Sequence, residues 1–208
     1  MRWPRIIFLL IVLSFLGAFL HYTLPQTEVV RITGTEVIRT DLSGLNRWFY
    51  AQGDTGGVTS DSRDLRFINT VRPAAEGVDP SQGRPLVFRN EDTGFGWPPY
   101  FKLDSADLHA EASNLTSSSA DPVWVAITHY GWRSNLLSSY PNALSIRPVD
   151  GPDARPIPWL SFVILLVLVI LIFMIWRIWE RFEDRVIVPA ADATRVRWAK
   201  LKDRFGGR

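Results

Sequence analysis

Two long apolar runs frame this chain, and everything between them alternates on a shorter scale. The second run, Trp159 to Trp176 (WLSFVILLVLVILIFMIW), has eighteen residues with no charge and a single hydroxyl, Ser161. As a helix it covers about 27 Å, close to the ~30 Å hydrocarbon core of a bilayer, and indole rings favour the headgroup level. A transmembrane helix over 157–178 follows, anchored by Trp159 and Trp176. The first run, Ile6 to Leu20 (IIFLLIVLSFLGAFL), comes after Arg2 and Arg5, the basic start and apolar middle of a secretory signal. No pair of small residues suited to cleavage follows it, where the chain reads His21, Tyr22, Thr23, Leu24, Pro25. Residues 1–24 are therefore expected to stay as a transmembrane signal anchor. Its fifteen apolar residues span about 23 Å, and Trp3 and Tyr22 as interfacial anchors make a crossing of a slightly thinned bilayer.

Residues 25–156 read as one β-rich module. Thr27 to Asp41 (TEVVRITGTEVIRTD) is rich in β-branched residues, with Gly34 as the point where a bulge re-phases the pleat. Asp64 to Arg72 and Arg84 to Glu91 are further strands, carrying Phe67, Val71, Val87 and Arg89. From Asp104 (DSADLHAEASNL) the period lengthens: Leu108, Ala112 and Leu115 share a helical face, Asp104 can cap the first turn, and Asp107 suits the positive helix end. Val123 to Tyr130 and Ala143 to Val149 return to strand character. Three strands, a helix and two strands is the order of an OB-like barrel, although an irregular β-sandwich or a mixed sheet with one helix gives the same string. The fold class is a membrane-anchored α+β protein, two transmembrane helices bracketing a small β-rich, OB-like, translocated domain. Pro152, Pro156 and Pro158 stiffen the approach to the second run.

Beyond Trp176 the helix is expected to run on to Arg185, with Ile178, Phe182 and Val186 recurring four apart, and to stop at Pro189. Residues 179–208 form a basic tail. Within it, Asp192 to Phe205 predicts a second helix with Trp198, Leu201 and Phe205 on one side and Arg195, Arg197, Lys200, Lys202 and Arg204 around the rest. Such a helix lies on an anionic inner leaflet or docks on a partner.

Charge sorts the segments by side. The net +2 conceals Arg2 and Arg5 without an acid in residues 1–21, 12 basic and 16 acidic side chains in 22–156, and 9 and 5 in 177–208. Basic residues crowd the outer ends of the two runs, at Arg2, Arg5, Arg177, Arg181 and Arg185, so both termini should be cytoplasmic and the module periplasmic. Confined to the flanks, this charge suits membrane lipids rather than nucleic acid. The chain has no cysteine, which removes disulfides, thiolate metal sites and thiol catalysis.

Candidate chemistry is sparse. His21, His109 and His129 lack a metal-ligand spacing, and His109 and Glu111 face apart on a helix. Glu91, Asp92, Asp104 and Asp107 cluster in RNEDTGFGWPPYFKLDSAD, but without calcium-loop spacing they read as a strand-end ion pair and helix caps. Gly94 and Gly96 lead into Trp97, Pro98 and Pro99 with no helix start or Lys of a phosphate loop. No catalytic motif, cofactor signature or metal site is expected, and the chain reads as non-enzymatic. Arg47 and Trp48, in the long first loop, and Trp132, Arg133 and Tyr140, after the fourth strand, are the residue types of interface hot spots, on the loops that border the ligand face of an OB-like barrel. They are equally placed to close its ends.

The hairpin plan, with TEVVRITGTEVIRTD, VFRNEDTGFGWPPYFKLDSADLHAEA, ITHYGWRSNLLSSYPNALSIRPV and the proline-rich approach to the second run, resembles a family of uncharacterised bacterial membrane proteins, a domain of unknown function, over most of residues 1–160. The resemblance implies a bacterial inner membrane and carries no catalytic residue. The expectation is an accessory or assembly subunit that binds a larger membrane complex, or forms a homo-oligomer, through its periplasmic domain. The alternative is a receptor-like module that binds a small molecule or glycan on the barrel.

Overall fold

The computed structural model describes residues 3–41, 62–74, 83–136, 138–187, 189 and 196–198. It divides into two compact units, residues 1–161 and 162–208. The first holds helix α1 (Trp3–Thr23), strands β1 (Gln26–Asp41), β2 (Ser62–Val71) and β3 (Pro85–Arg89), helix α2 (Ser105–Asn114), and strands β4 (Trp124–Tyr130) and β5 (Asn142–Pro148). Helix α3 (Trp159–Phe182) begins in this unit and continues through the second. A wider, π-type turn over Glu183–Ile187 prolongs it, as the recurring Ile178, Phe182 and Val186 predicted.

The β-rich module is a closed five-stranded barrel in the order β1-β2-β3-β5-β4, which is OB-like, with the helix between the third and fourth strands. Closure depends on the length of β1. Its first half, Gln26 to Arg31, pairs antiparallel with β4, and from Arg31 onward it pairs antiparallel with β2. One strand can serve both neighbours only by bending, and the register shifts between Ile32 and Gly34, where the sequence predicts a bulge. The ring is completed where β3 meets β5 in parallel, a single register pair at Arg89 and Asn142.

Alternation along each strand fills the inside. Val30, Ile32, Ile68, Leu86, Phe88, Val125, Ile127, Ala143 and Ile146 form one core, joined by Leu108 and Ala112 from α2 with Leu115 packed against it. The apolar face expected of α2 is the one it buries, and Ser113 meets Thr35 of β1 at 2.7 Å. Its cap differs from expectation. Asp104 makes no side-chain cap; Asp92 does, its Oδ1 accepting from Ser105 N and its Oδ2 from Ser105 Oγ, both at 2.9 Å. Asp92 lies twelve residues upstream of Asp104, so spacing alone pointed to the nearer acid.

His129 is a polar residue placed against this core. It is 5% exposed, its ring lies 5.0 Å from that of Phe88, and neither nitrogen has a hydrogen-bond partner. Desolvation, and secondarily the Arg72 guanidinium, pulls its pKa down to about 4 from 6.5. Between those values the unfolded chain binds a proton that the folded chain refuses. Stability should therefore rise with pH across this window, and His129 should account for about 3 kcal/mol of the loss between pH 6.5 and pH 4. Denaturant titration of the detergent-solubilised protein at several pH values, compared with His129→Leu, isolates the term: the variant should have the shallower acid slope.

Candidate functional site at the helix and barrel junction

Polar and aromatic side chains gather where α1 enters the barrel. A helix end leaves four carbonyls without intrahelical donors, here those of residues 20 to 23. Leu24 N–H donates to Leu20 O at 2.8 Å. The module supplies the other three donors: Gln26 Nε2 to His21 O at 3.0 Å, Gly131 N–H to Tyr22 O at 2.9 Å, and Tyr100 O–H to Thr23 O. Gly131 can reach because its φ of +90° turns the chain sharply at the end of β4, a conformation that favours glycine. Two residues further, Ser161 Oγ at the start of α3 donates to Pro25 O.

Aromatic rings line the same junction. Tyr22 meets Trp132 edge-on at 5.3 Å and Tyr130 at 6.3 Å; Tyr100 approaches Tyr130 at 5.3 Å, and Trp97 stacks on Phe19 at 5.6 Å. Trp132 Nε1 donates to His21 Nδ1 at 2.8 Å, which assigns the His21 proton to Nε2.

Behind these rings sits a buried cation. Phe88 faces the core, so Arg89 points to the other side of β3, and yet it is almost fully buried. It pairs with Glu91 at 3.1 Å, both side chains under 5% exposed, lies 5.9 Å from the Tyr130 ring centroid, and its charge acts on the hydroxyls of Tyr22 and Tyr130. Burial pushes the Tyr130 and Tyr100 hydroxyls upward in pKa, which keeps them protonated. Asn142 seals the β3–β5 seam: its Oδ1 accepts from Glu91 N at 2.9 Å and its Nδ2 donates to Glu91 O at 3.0 Å, the exchange that a paired backbone residue would make. Lys102, buried as well, donates to Asn90 Oδ1 at 2.5 Å and Ala143 O at 2.6 Å. Desolvation brings its pKa down to about 8, a value that draws attention to it as a base, but its ammonium is spent on these two acceptors. The arrangement is an adhesive between helix and barrel. Among the described residues no group of three or more His, Asp and Glu gathers as a metal site would.

Trp132, Arg133 and Tyr140, singled out as interface residues, fall in one β4–β5 loop. There they make internal contacts: Trp132 with α1, Arg133 over the Tyr140 ring at 4.1 Å and onto Ser134 O and Ser139 O, and Tyr140 edge-on to Phe67 at 5.1 Å. Arg47, Trp48, Leu201 and Phe205 lie outside the described residues. Trp3, Trp159, Trp176 and Trp198 are exposed, the first three at or near the ends of α1 and the uncharged stretch of α3. Sequence reasoning missed Tyr100, Tyr130, Lys102 and Asn142; it read Tyr22 as an interfacial anchor, Arg89 as a strand residue and Glu91 as part of a strand-end ion pair. The legible hint was a polar cluster, His21 to Thr23, directly after an apolar run.

The fold and this junction define a class: a small OB-like barrel seated on the end of an apolar helix. The chain belongs to the family described as "Protein of unknown function (DUF1523)", whose model matches residues 1–183. An uncharacterized protein of Haemophilus influenzae (strain ATCC 51907 / DSM 11121 / KW20 / Rd) is 36% identical over 157 residues, covering 74% of this chain and 80% of its own length. No solved structure matches the chain.

Two outcomes test the junction. Arg89→Met should cost about 3–5 kcal/mol, because Glu91 is left buried without its cation, whereas Arg89→Met combined with Glu91→Leu should recover much of that loss, as read by denaturant titration. Trp132→Phe, which loses the bond to His21 and one ring of the indole, should cost about 1–2 kcal/mol, and Trp132→Ala about 2–4 kcal/mol, both measured as thermal unfolding in detergent.

Proposed function

We propose that this chain is a two-pass inner-membrane protein with both termini cytoplasmic, a periplasmic barrel held against the outer face of the bilayer, and a non-enzymatic role as an accessory subunit of a larger membrane complex. The observation that carries it is the junction. Three barrel donors close the end of α1 and tie the helix to the barrel, while neither apolar helix has a buried residue. Helices of this length and composition have surfaces suited to lipid or to other helices. The basic residues at the outer ends of both runs support the orientation.

A receptor-like role is the competing reading, and a ligand site requires a concave, mostly apolar space. The barrel interior is occupied by its own side chains, and the buried Lys102 and Asn142 are committed to internal hydrogen bonds. That favours the subunit. Apolar side chains are on offer on both faces of the β1–β2 ribbon, where the neighbours Val37 and Ile38 stand exposed on opposite sides.

A phosphatase fused after Asp121 should be active and one fused after Arg208 inactive; the reverse pattern would refute the topology. The full chain, solubilised in mild detergent and purified by affinity, should bring down a membrane-protein partner that Val37→Glu with Ile38→Lys releases without lowering thermal stability. A partnerless monomer would refute the subunit role.

A further inference from the structure

We propose that the segment 93–103, joining β3 to α2, is a membrane-contacting tongue whose aromatic side chains lie in the headgroup layer of the bilayer that α1 enters. The inference rests on the membrane-spanning reading given above.

From Thr93 to Phe101 the chain carries no charge. Its large side chains point outward: Phe95 is 92% exposed, Trp97 64%, Phe101 58%, and Leu103, just beyond, 75%. This is not a slack loop. Its base is pinned, with Thr93 N donating to Lys102 O at 3.0 Å and Lys102 N to Thr93 Oγ1 at 3.1 Å, while Lys102 itself is buried. Phe95 and Phe101 pack edge-on at 5.5 Å across the tip. A pinned segment that holds apolar side chains in water bears a standing cost, and such a patch marks a contact surface.

Position names the occupant. Trp97 stacks nearly parallel on Phe19, which lies four residues inside the end of α1, about 6 Å along the axis. Tyr100 bonds the last carbonyl of the same helix. The Trp97 ring therefore shares one continuous surface with the exposed Phe15, Leu16 and Phe19 of α1. Whatever medium covers the last turns of that helix covers the tongue. Tryptophan and phenylalanine on an uncharged support suit the interfacial zone of lipid, and without cations the contact has no use for anionic headgroups. It should form on phosphatidylcholine alone.

The absence of cysteine in the chain permits single labels in the intact protein. Phe95→Cys, Phe15→Cys and Ser119→Cys, the last in the loop after α2, are each coupled to an environment-sensitive dye and reconstituted in phosphatidylcholine vesicles. Expected at Phe95 are a blue-shifted emission, protection from aqueous iodide, and quenching by lipid nitroxides near the headgroup more than by those at the chain end. Phe15 should be quenched by the deep nitroxide and Ser119 by iodide. Free access of iodide to Phe95 with Phe15 still lipid-quenched overturns the tongue and leaves the spanning helix standing. Protection of Phe95 from both quenchers means that protein covers it, and also overturns the proposal. Loss of lipid quenching at Phe15 removes the spanning reading itself.

Discussion

A guanidinium buried on the outer side of a barrel strand sets the terms for this fold. A charge taken out of water costs several kcal/mol unless it is paired, and Arg89 lies on the outer face of β3, opposite Phe67 of β2, which the barrel's own Tyr140 covers. Three groups surround it: Glu91 at the strand end, the Tyr130 ring from β4, and Tyr22 from the last turn of α1. The helix end and the β3–β5 seam thus meet at one ion pair. Take away the helix and the ion pair loses part of its cover; open the β3–β5 seam and Glu91 loses the Asn142 amide that holds its backbone.

The seam itself explains why so much polar chemistry is concentrated here. Parallel strands cannot be joined by a tight turn, and β3 touches β5 through one register pair, backed by Arg89 N donating to Pro141 O at 2.9 Å. A ladder this short leaves buried peptide groups to be paired by other means. Asn142 supplies an amide for Glu91, Asn90 Nδ2 reaches Ser105 O, and Lys102 ties Asn90 to Ala143. Side chains do here what further backbone pairing does between the other strands.

That substitution marks the limit of what the sequence discloses. The five strands, the bulge at Gly34, the buried face of α2 and the OB order were legible because each is written in local periodicity. So was the family. The cap of α2 was misassigned to Asp104, because capping by Asp92 depends on how the intervening loop folds back. Trp132 was legible as a residue seeking a partner, but its partner His21 lies 111 residues upstream, and no spacing rule links them. Arg89 looked like an ordinary strand residue and Glu91 like a strand-end charge, since burial on the outer face of a strand depends on an element folded elsewhere.

Only Leu24 and Pro25 separate α1 from β1, and that brevity turns the helix into a depth gauge. In the two-pass arrangement proposed above, sliding the helix by one residue would lift or lower the barrel by about 1.5 Å, with no slack to absorb the step. An apolar run of fifteen residues is short for an average hydrocarbon core, so thicker lipid would draw the barrel toward the headgroups and thinner lipid would release it. The height at which the β1–β2 ribbon stands above the membrane, and so what it can reach, is then set by the bilayer as much as by the protein.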